Sequence, residues 1–417
     1  MIQIPKGTKD VLPSESYKWR KVRQTIDSIA KRYNYKEIMT PTFEYTELFV
    51  RGVGTGSDIV NKEMYTFKDK GDRSITLKPE GTASVARSFI ENGLFNETLP
   101  LKMFYITPCF RYERPQEGRL REHHQFGIEL YGPNTVLSEV EVLMVASEFY
   151  KSFGIEPVVH INNLGCTECR QKYINTLKDY ASKHIDDMCE DCHNRINTNP
   201  LRMLDCKSRE CQAILKDAPL IQDMLCDKCS EHFAHLLKLL DIQNIKYVVD
   251  PKLVRGIDYY TNVVFEFVDE DKTLGQNALG GGGRYNNLVE ELGGKNTPVI
   301  GLGIGIERLL LYLEKKGIRL EDENKVDVYI ASATYNDEYI LKLAKHLREN
   351  GISTEIDLML RSLKAQFKYA DKLNVKYVLT IGDDEISSNE IAIKNMQTGE
   401  QTKVNANKLV KFLKENN

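Results

Sequence analysis

No stretch of the chain approaches the 18 consecutive apolar residues of a membrane-spanning helix. Its opening, MIQIPKGTKDVLPSES, has neither the basic nor the apolar region of a secretory signal, so a cytoplasmic location is expected. Positive charge is not in excess. The 57 Lys and Arg stand against 60 Asp and Glu, for a net charge of -3, which excludes a wholly basic nucleic-acid binder but leaves room for local basic patches. No Walker A sequence occurs, so any phosphate would be held by arginines and not by a P-loop. The nearest approach to a dinucleotide fingerprint is VIGLGIGIERLLLYLE, with glycines at 301, 303 and 305. Its third fingerprint position is Ile306, and no βαβ unit follows. Cysteine is sparse outside one region. Cys109 stands alone among apolar neighbours and reads as core, whereas the other eight of the nine fall between residues 166 and 229. In a cytoplasmic chain that clustering favours metal over disulfides.

What is present is the composition of an ordinary globular protein, 41% hydrophobic and 28% charged, and 417 residues suffice for two or three domains. The organising stretch is FYITPCFRYERPQEGRLREHHQFGIELYG, residues 104–132. It reads as a strand to Tyr112, a polar loop carrying Arg114, Arg119 and Arg121 around Pro115 and Gly118, and a strand from Gln125 to Tyr131. Arg111 and Glu113 are two residues apart and so share a face, as do Gln125 and Glu129. Such a hairpin suits a polyphosphate held against a small polar ligand. An ordinary surface hairpin with salt bridges fits these residues equally well.

Around it, Trp19, Val22, Ile26, Ile29 and Tyr33 predict a one-faced helix, and MYTFKDKGDRSITLKP predicts a second hairpin. Glu80-Gly81-Thr82 opens a helix, where Glu and Thr either accept from an ammonium group or cap the helix. Residues 166–240 look like a mainly helical insertion, because the strand pattern resumes after them. Within it, Cys166, Cys169, Cys189 and Cys192 have the spacing of zinc ligands, although CxxC pairs also arise in helices without metal. Arg255 precedes Gly256, Tyr259 and Tyr260, a combination of fixed cation, bare backbone and phenolic donors; Arg255 could equally pair with Asp258. Four glycines follow at 280–283, where backbone lies flat against something or turns sharply. From about Lys325, alternating strands and helices predict a small α/β domain, with Arg361, Lys364, Lys368 and Lys372 on one helix face as a phosphate-backbone contact or a solvated stripe.

Arginines from the hairpin, from residue 255 and from residue 308 surround one predicted site without a P-loop. That suits activation of a carboxylate by ATP, which needs positioning and electrostatics but no protein nucleophile. At this point the sequence resembles a known family. TPTFEYTELF, FRYERPQEGRLREHHQFGIE and GLGIGIERLLL resemble motifs 1, 2 and 3 of the class II aminoacyl-tRNA synthetases. LVRGIDYYTNVVFEF and ALGGGGRYNNLV resemble the two peptides particular to the bacterial-type histidyl-tRNA synthetase family. The likeness runs from KGTKDVLP to RSLKAQFKYADKL, essentially the whole chain.

The resemblance implies an α+β core built on an antiparallel sheet, the class II fold, over residues 1–165 and 241–324. It also implies an anticodon-binding α/β domain at 325–417 and a homodimer formed partly through motif 1. The implied substrates are L-histidine, ATP with Mg2+, and histidine tRNA. Glu80, Thr82 and Gln125 would hold the histidine ammonium, with Gly81 and Tyr259 beside them, while Glu129 and Tyr260 would bracket the imidazole. Arg111 would grip the α-phosphate, Glu113 the adenine amino group, and Arg119, Arg121 and Arg308 the outer phosphates. Arg255 would lie between substrate carboxylate and α-phosphate. Ile257 departs from the family's usual Leu, and the cysteine-rich insertion is not a general family feature, so a structural Zn2+ rests on spacing alone. Two rival readings are a regulatory relative of histidine biosynthesis and a plain RNA-binding module. Histidine-dependent exchange of pyrophosphate into ATP separates all three.

Overall fold

The helical period of Trp19, Val22, Ile26 and Ile29 becomes the helix Ser16–Arg32, whose Val22, Ile26 and Ile29 are fully buried. The computed structural model describes residues 1–271, 273–274, 277–322, 326–334 and 336–416, and the predicted domain boundary at 324–325 lies outside them. The described chain divides into two compact units, residues 1–320 and 321–417.

The first unit contains strands β1 (Lys36–Glu37), β2 (Phe43–Tyr45), β3 (Tyr65–Lys68), β4 (Ser74–Leu77), β5 (Leu101–Phe110), β6 (Glu122–Tyr131), β7 (Val158–Asn163), β8 (Tyr247–Val249), β9 (Thr261–Val268), β10 (Ala278–Arg284) and β11 (Val299–Gly305). Eight of them form one sheet in the order β1-β5-β6-β11-β10-β9-β7-β8, and β2-β4-β3 form a small second sheet. The central pairings are antiparallel, and only the outermost strands β1 and β8 run parallel to their neighbours.

Period-two alternation gives this sheet two unlike faces. Phe126, Ile128 and Leu130 of β6, Phe265 and Phe267 of β9, and Ile300, Leu302 and Ile304 of β11 bury themselves in one cluster with the helices Ser16–Arg32 and Val136–Lys151. The intervening positions, Gln125 and Glu129, Glu266, and Gly301 and Gly303, therefore belong to the opposite face. That face carries the site. The fully buried Arg284, at the end of β10, bonds Glu139 and Ser138 and so ties the sheet to the helix behind it.

Residues 166–240 are helical, as their composition predicts, with Thr167–Ser182, Glu190–Thr198, Arg209–Leu215 and Asp227–Ile242 as the main segments. Their apolar residues do not form a core of their own. Tyr173, Leu177 and Leu201 share a cluster with Val85, Phe89, Tyr131, Val254 and Tyr260. In the second unit, strands β12 (Val328–Ser332), β13 (Thr354–Ile356), β14 (Tyr377–Ile381), β15 (Glu390–Asn395) and β16 (Gln401–Asn405) form a mixed sheet in the order β13-β12-β14-β15-β16. Helices Asp337–Glu349 and Leu363–Lys372 connect its parallel strands, and the β15–β16 hairpin extends the alternating pattern read from sequence.

Candidate active site

The hairpin β5–β6 is in register Met103 to Glu129 and Thr107 to Gln125, which aligns its polar residues with the glycines of β11. Glu129 lies opposite Gly301 and Gln125 opposite Gly305. A side-chain carbon built on Gly301 would come within 2.2 Å of both Glu129 Oε2 and Tyr285 Oη, and one on Gly303 within 1.9 Å of Gln125 Nε2. On β10 a carbon added at Gly281 would meet Arg255 Nη1 at 2.8 Å. These glycines make a floor of bare backbone, and the side chains around it lean inward over the space. A cleft of about 920 Å³ stands over it.

At the inner end, Glu129 is fully buried and accepts from Thr82 Oγ1 at 2.8 Å and Tyr105 Oη at 3.1 Å, both through Oε1. Its Oε2 has no hydrogen-bond partner among the described residues. Burial pushes the Glu129 carboxyl well above the usual carboxylate range, and neighbouring Glu80 adds to the shift while the bond from Thr82 opposes it. Tyr105 is locked between Gly81 and Gly127, where added carbons would fall 2.3 and 2.2 Å from its ring. Gly127→Ala therefore destabilises the protein by about 1–3 kcal/mol through overpacking. The check is urea unfolding, with Gly154→Ala as a control for positive-φ strain without crowding, since a carbon there meets nothing within 4 Å.

Glu80 caps the helix Thr82–Glu91. Its two oxygens accept the amides of Thr82 and Ala83, each at 2.7 Å, yet the carboxylate also lines the cleft with lone pairs to spare. Gly81 donates its amide to Gln125 Oε1 at 3.2 Å, so the residues read from sequence as ammonium ligands are joined in one network. Above them, Tyr259, Tyr260 and Tyr285 pack as three rings with centroids 4.7–6.1 Å apart.

Arg255 is paired with Glu266 of β9 and lies 5.7 Å from the Tyr260 ring centroid. Burial works against its charge, but Glu266 and the tyrosines outweigh it and hold its pKa above the ordinary arginine value. Asp258, the partner considered from sequence, is instead bonded to Asn199 Nδ2 at 2.5 Å and the Gly56 amide at 3.1 Å. Arg111 donates to the Pro79 carbonyl at 2.8 Å and faces Glu113 at 3.8 Å, while Arg119 reaches Glu113 at 3.0 Å. Arg119 and Arg308 meet in an adjoining cavity of about 260 Å³ that Arg111, Arg255 and Glu266 also line. Burial, with Arg119 nearby, lowers the Arg308 pKa. An anion between the two would relieve that repulsion.

Two sequence expectations need correction or completion. Arg121 lines neither cavity: its guanidinium stacks on Tyr112 at 3.8 Å and its methylenes pack against Gly7. The metal set is the larger correction, because Cys166, Cys169, Cys189 and Cys192 do not converge. Cys166 and Cys169 join Cys226 and Cys229, while Cys189 and Cys192 join Cys206 and Cys211. The reason is the 16-residue helix Thr167–Ser182, which spans roughly 24 Å and carries the chain away from the first pair before Cys189 is reached. Sequence reasoning also missed Tyr105, Tyr285 and Glu266. The alternation of β9 was available as a signal for Glu266, two residues from Val264 on the polar face.

An antiparallel sheet with an arginine-bearing hairpin on its glycine-floored face, and four arginines lining one cavity without a P-loop, defines a class II aminoacyl-tRNA synthetase. The family model described as "Histidyl-tRNA synthetase" matches residues 7–309, and one described as "Anticodon binding domain" matches residues 325–416. The chain is similar to the histidine–tRNA ligase of Clostridium novyi, at 51% identity over 98% of this chain and 97% of that protein. It is 50% identical to that of Caldanaerobacter subterraneus over 99% and 100% of the two chains. Among solved structures, apo Staphylococcus aureus histidyl-tRNA synthetase superposes with a TM-score of 0.86 at 41% identity, covering 99% of this chain and all of that one. The chain belongs to the histidyl-tRNA synthetase family.

Proposed function

We propose that the cleft takes L-histidine at its inner end, under the tyrosines, and ATP beneath the hairpin loop. The chain activates histidine to histidyl-adenylate and passes the histidyl group to the 3′ end of histidine tRNA. One observation carries the assignment of the inner end: a fully buried Glu129 with an unpartnered oxygen beside the tyrosine cluster. A buried acceptor of that kind calls for an N–H donor. An imidazole supplies one, and its second nitrogen meets the Tyr260 hydroxyl. An apolar side chain of similar size would leave both groups unpaired, which is the strongest basis for rejection available to a binding site.

In this reading the ammonium group lies against Glu80, Thr82 and Gln125. The substrate carboxylate attacks the α-phosphorus in line, the bond to the β-phosphate oxygen breaks, and pyrophosphate leaves. Arg255 and Arg111 face the charge that builds on the α-phosphate, and Glu113 accepts from the adenine amino group. Arg119 and Arg308 hold the outer phosphates, with Arg121 joining them only if the loop releases it from Tyr112. Mg2+ bound with the nucleotide would neutralise phosphate charge. Glu266, which lines both cavities as Glu113 does, would be the carboxylate left to hold it once Glu113 accepts from the adenine.

The chain is further proposed to act as a cytoplasmic homodimer. Among the described residues no helix is long and apolar enough to cross a membrane. Met39, Phe43, Tyr45 and Phe67, on and beside the β2-β4-β3 sheet, are exposed large apolar residues suited to a second copy. The decisive experiment is histidine-dependent exchange of labelled pyrophosphate into ATP. Exchange with histidine but not with the other amino acids is expected, and none with clean, folded protein sinks the assignment.

A further inference from the structure

The eight cysteines of residues 166–229 fall into two groups of four, and within each group all sulfurs lie within 4.8 Å of one another. The first is Cys166, Cys169, Cys226 and Cys229; the second is Cys189, Cys192, Cys206 and Cys211. Cys166 to Cys169 and Cys189 to Cys206 are each 3.6 Å apart, sulfur to sulfur. A disulfide needs about 2.05 Å. A tetrahedral Zn2+ with Zn–S bonds of about 2.3 Å has sulfur–sulfur edges of about 3.8 Å. The spacing thus leaves room for one ion in each group but not for an inorganic iron–sulfur core between the thiolates.

The surroundings agree. Cys166, Cys189 and Cys226 each immediately precede a helix, so their sulfurs stand near helix N-terminal amides, which favour thiolate. Backbone amides also point at ligand sulfurs: Cys226 N to Cys169 at 3.1 Å, and Cys189 N to Cys211 at 3.2 Å. Five of the eight are buried, which keeps solvent from most of the metal shell.

We propose that the insertion holds two independent tetrathiolate zinc centres, the second of which braces the wall of the catalytic cleft. The first joins the point where the chain leaves β7 to the start of the helix that returns it to β8, so it clamps the root of the insertion. The second closes the segment between Cys192 and Cys206. That segment carries Asn199, bonded to Asp258, and Arg202, which donates to the Gly256 carbonyl at 2.9 Å and to Asp58 at 3.0 Å. Cys189 and Cys206 themselves line the same cleft as Arg255. The loop bearing Arg255, Tyr259 and Tyr260 is thereby held from outside by a metal-closed loop.

Elemental analysis of the full-length protein, purified without chelators, should find two zinc atoms per chain. One or none, or iron in their place, overturns the proposal, and this count needs no variant to fold. Cys226→Ser and Cys189→Ser should each remove one zinc and leave the other. Full retention in Cys226→Ser would mean that Cys226 is not a ligand and would overturn the first centre, and loss of both in either variant would mean that the centres are not independent. With the remaining zinc verified, Cys189→Ser should lower histidine-dependent exchange at least about tenfold, as loss of an outer support does, while Cys226→Ser stays closer to wild type. Equal effects, or the reverse order, break the link to the cleft. That kinetic arm rests on the cleft being the histidine site; the metal counts do not, so the two ideas fail separately.

Discussion

Replacing Arg255 with alanine lowers histidine-dependent pyrophosphate exchange by about 10²–10³-fold, the cost of removing one preorganised group from developing charge. Histidine affinity moves much less. In the proposed reading Arg255 faces the α-phosphate as it gains charge during carboxylate attack, so its interaction is stronger in the transition state than in the ground state. The loss should therefore appear in kcat and kcat/KM together, with histidine binding measured separately by calorimetry. An equal loss in binding and exchange would instead make Arg255 an ordinary substrate ligand. Removing it also leaves Glu266 half-buried without its cation, so the variant's melting temperature must be recorded beside its rate. Arg255→Lys restores the charge but not the fork, and is expected to recover only part of the activity.

Glu129→Gln separates recognition from stability. Loss of a charged hydrogen-bond partner weakens histidine binding by roughly 10–100-fold. The same substitution stabilises the empty protein at neutral pH. Burial raises the folded Glu129 pKa above its usual 4.5. The protonated form is then favoured by folding: its contribution is complete below about pH 4.5 and is lost as pH rises through the folded value. Glutamine has no proton to lose. The melting temperatures of the two proteins should hence agree near pH 4 and diverge as pH increases, with the variant higher. A wild-type protein that is the more stable at pH 8 without ligand would show that the Glu129 carboxylate is already compensated.

Much of this site was legible because strands advertise their faces. Gln125 and Glu129 had to share a side, and the two glycine runs had to face something close. Glu80 was ambiguous in sequence between capping and ligand binding, and the fold shows why: its oxygens receive the helix amides while the carboxylate still lines the cleft. What sequence could not supply was partnership across long separations. Cys169 and Cys226 are 57 residues apart, and nothing in either CxxC says which other pair it meets. Arg255 had a nearby acid in Asp258, yet its partner is Glu266 on the next strand, because Asp258 turns toward Asn199 and Gly56. Arg121 shares the loop of Arg119 but stacks on Tyr112, a preference that spacing does not encode.

The bare floor of β10 and β11 has a consequence for redesign. Peptide backbone cannot be substituted, and at Gly281 an added carbon would lie 2.6 Å from the Phe265 carbonyl oxygen. Variation toward another amino acid is therefore closed from below. It must come from the walls, where Glu129, Tyr105 and the three tyrosines each depend on the others' positions. A new specificity is reached by exchanging that group as a set, and single replacements there produce weaker histidine enzymes before they produce anything else.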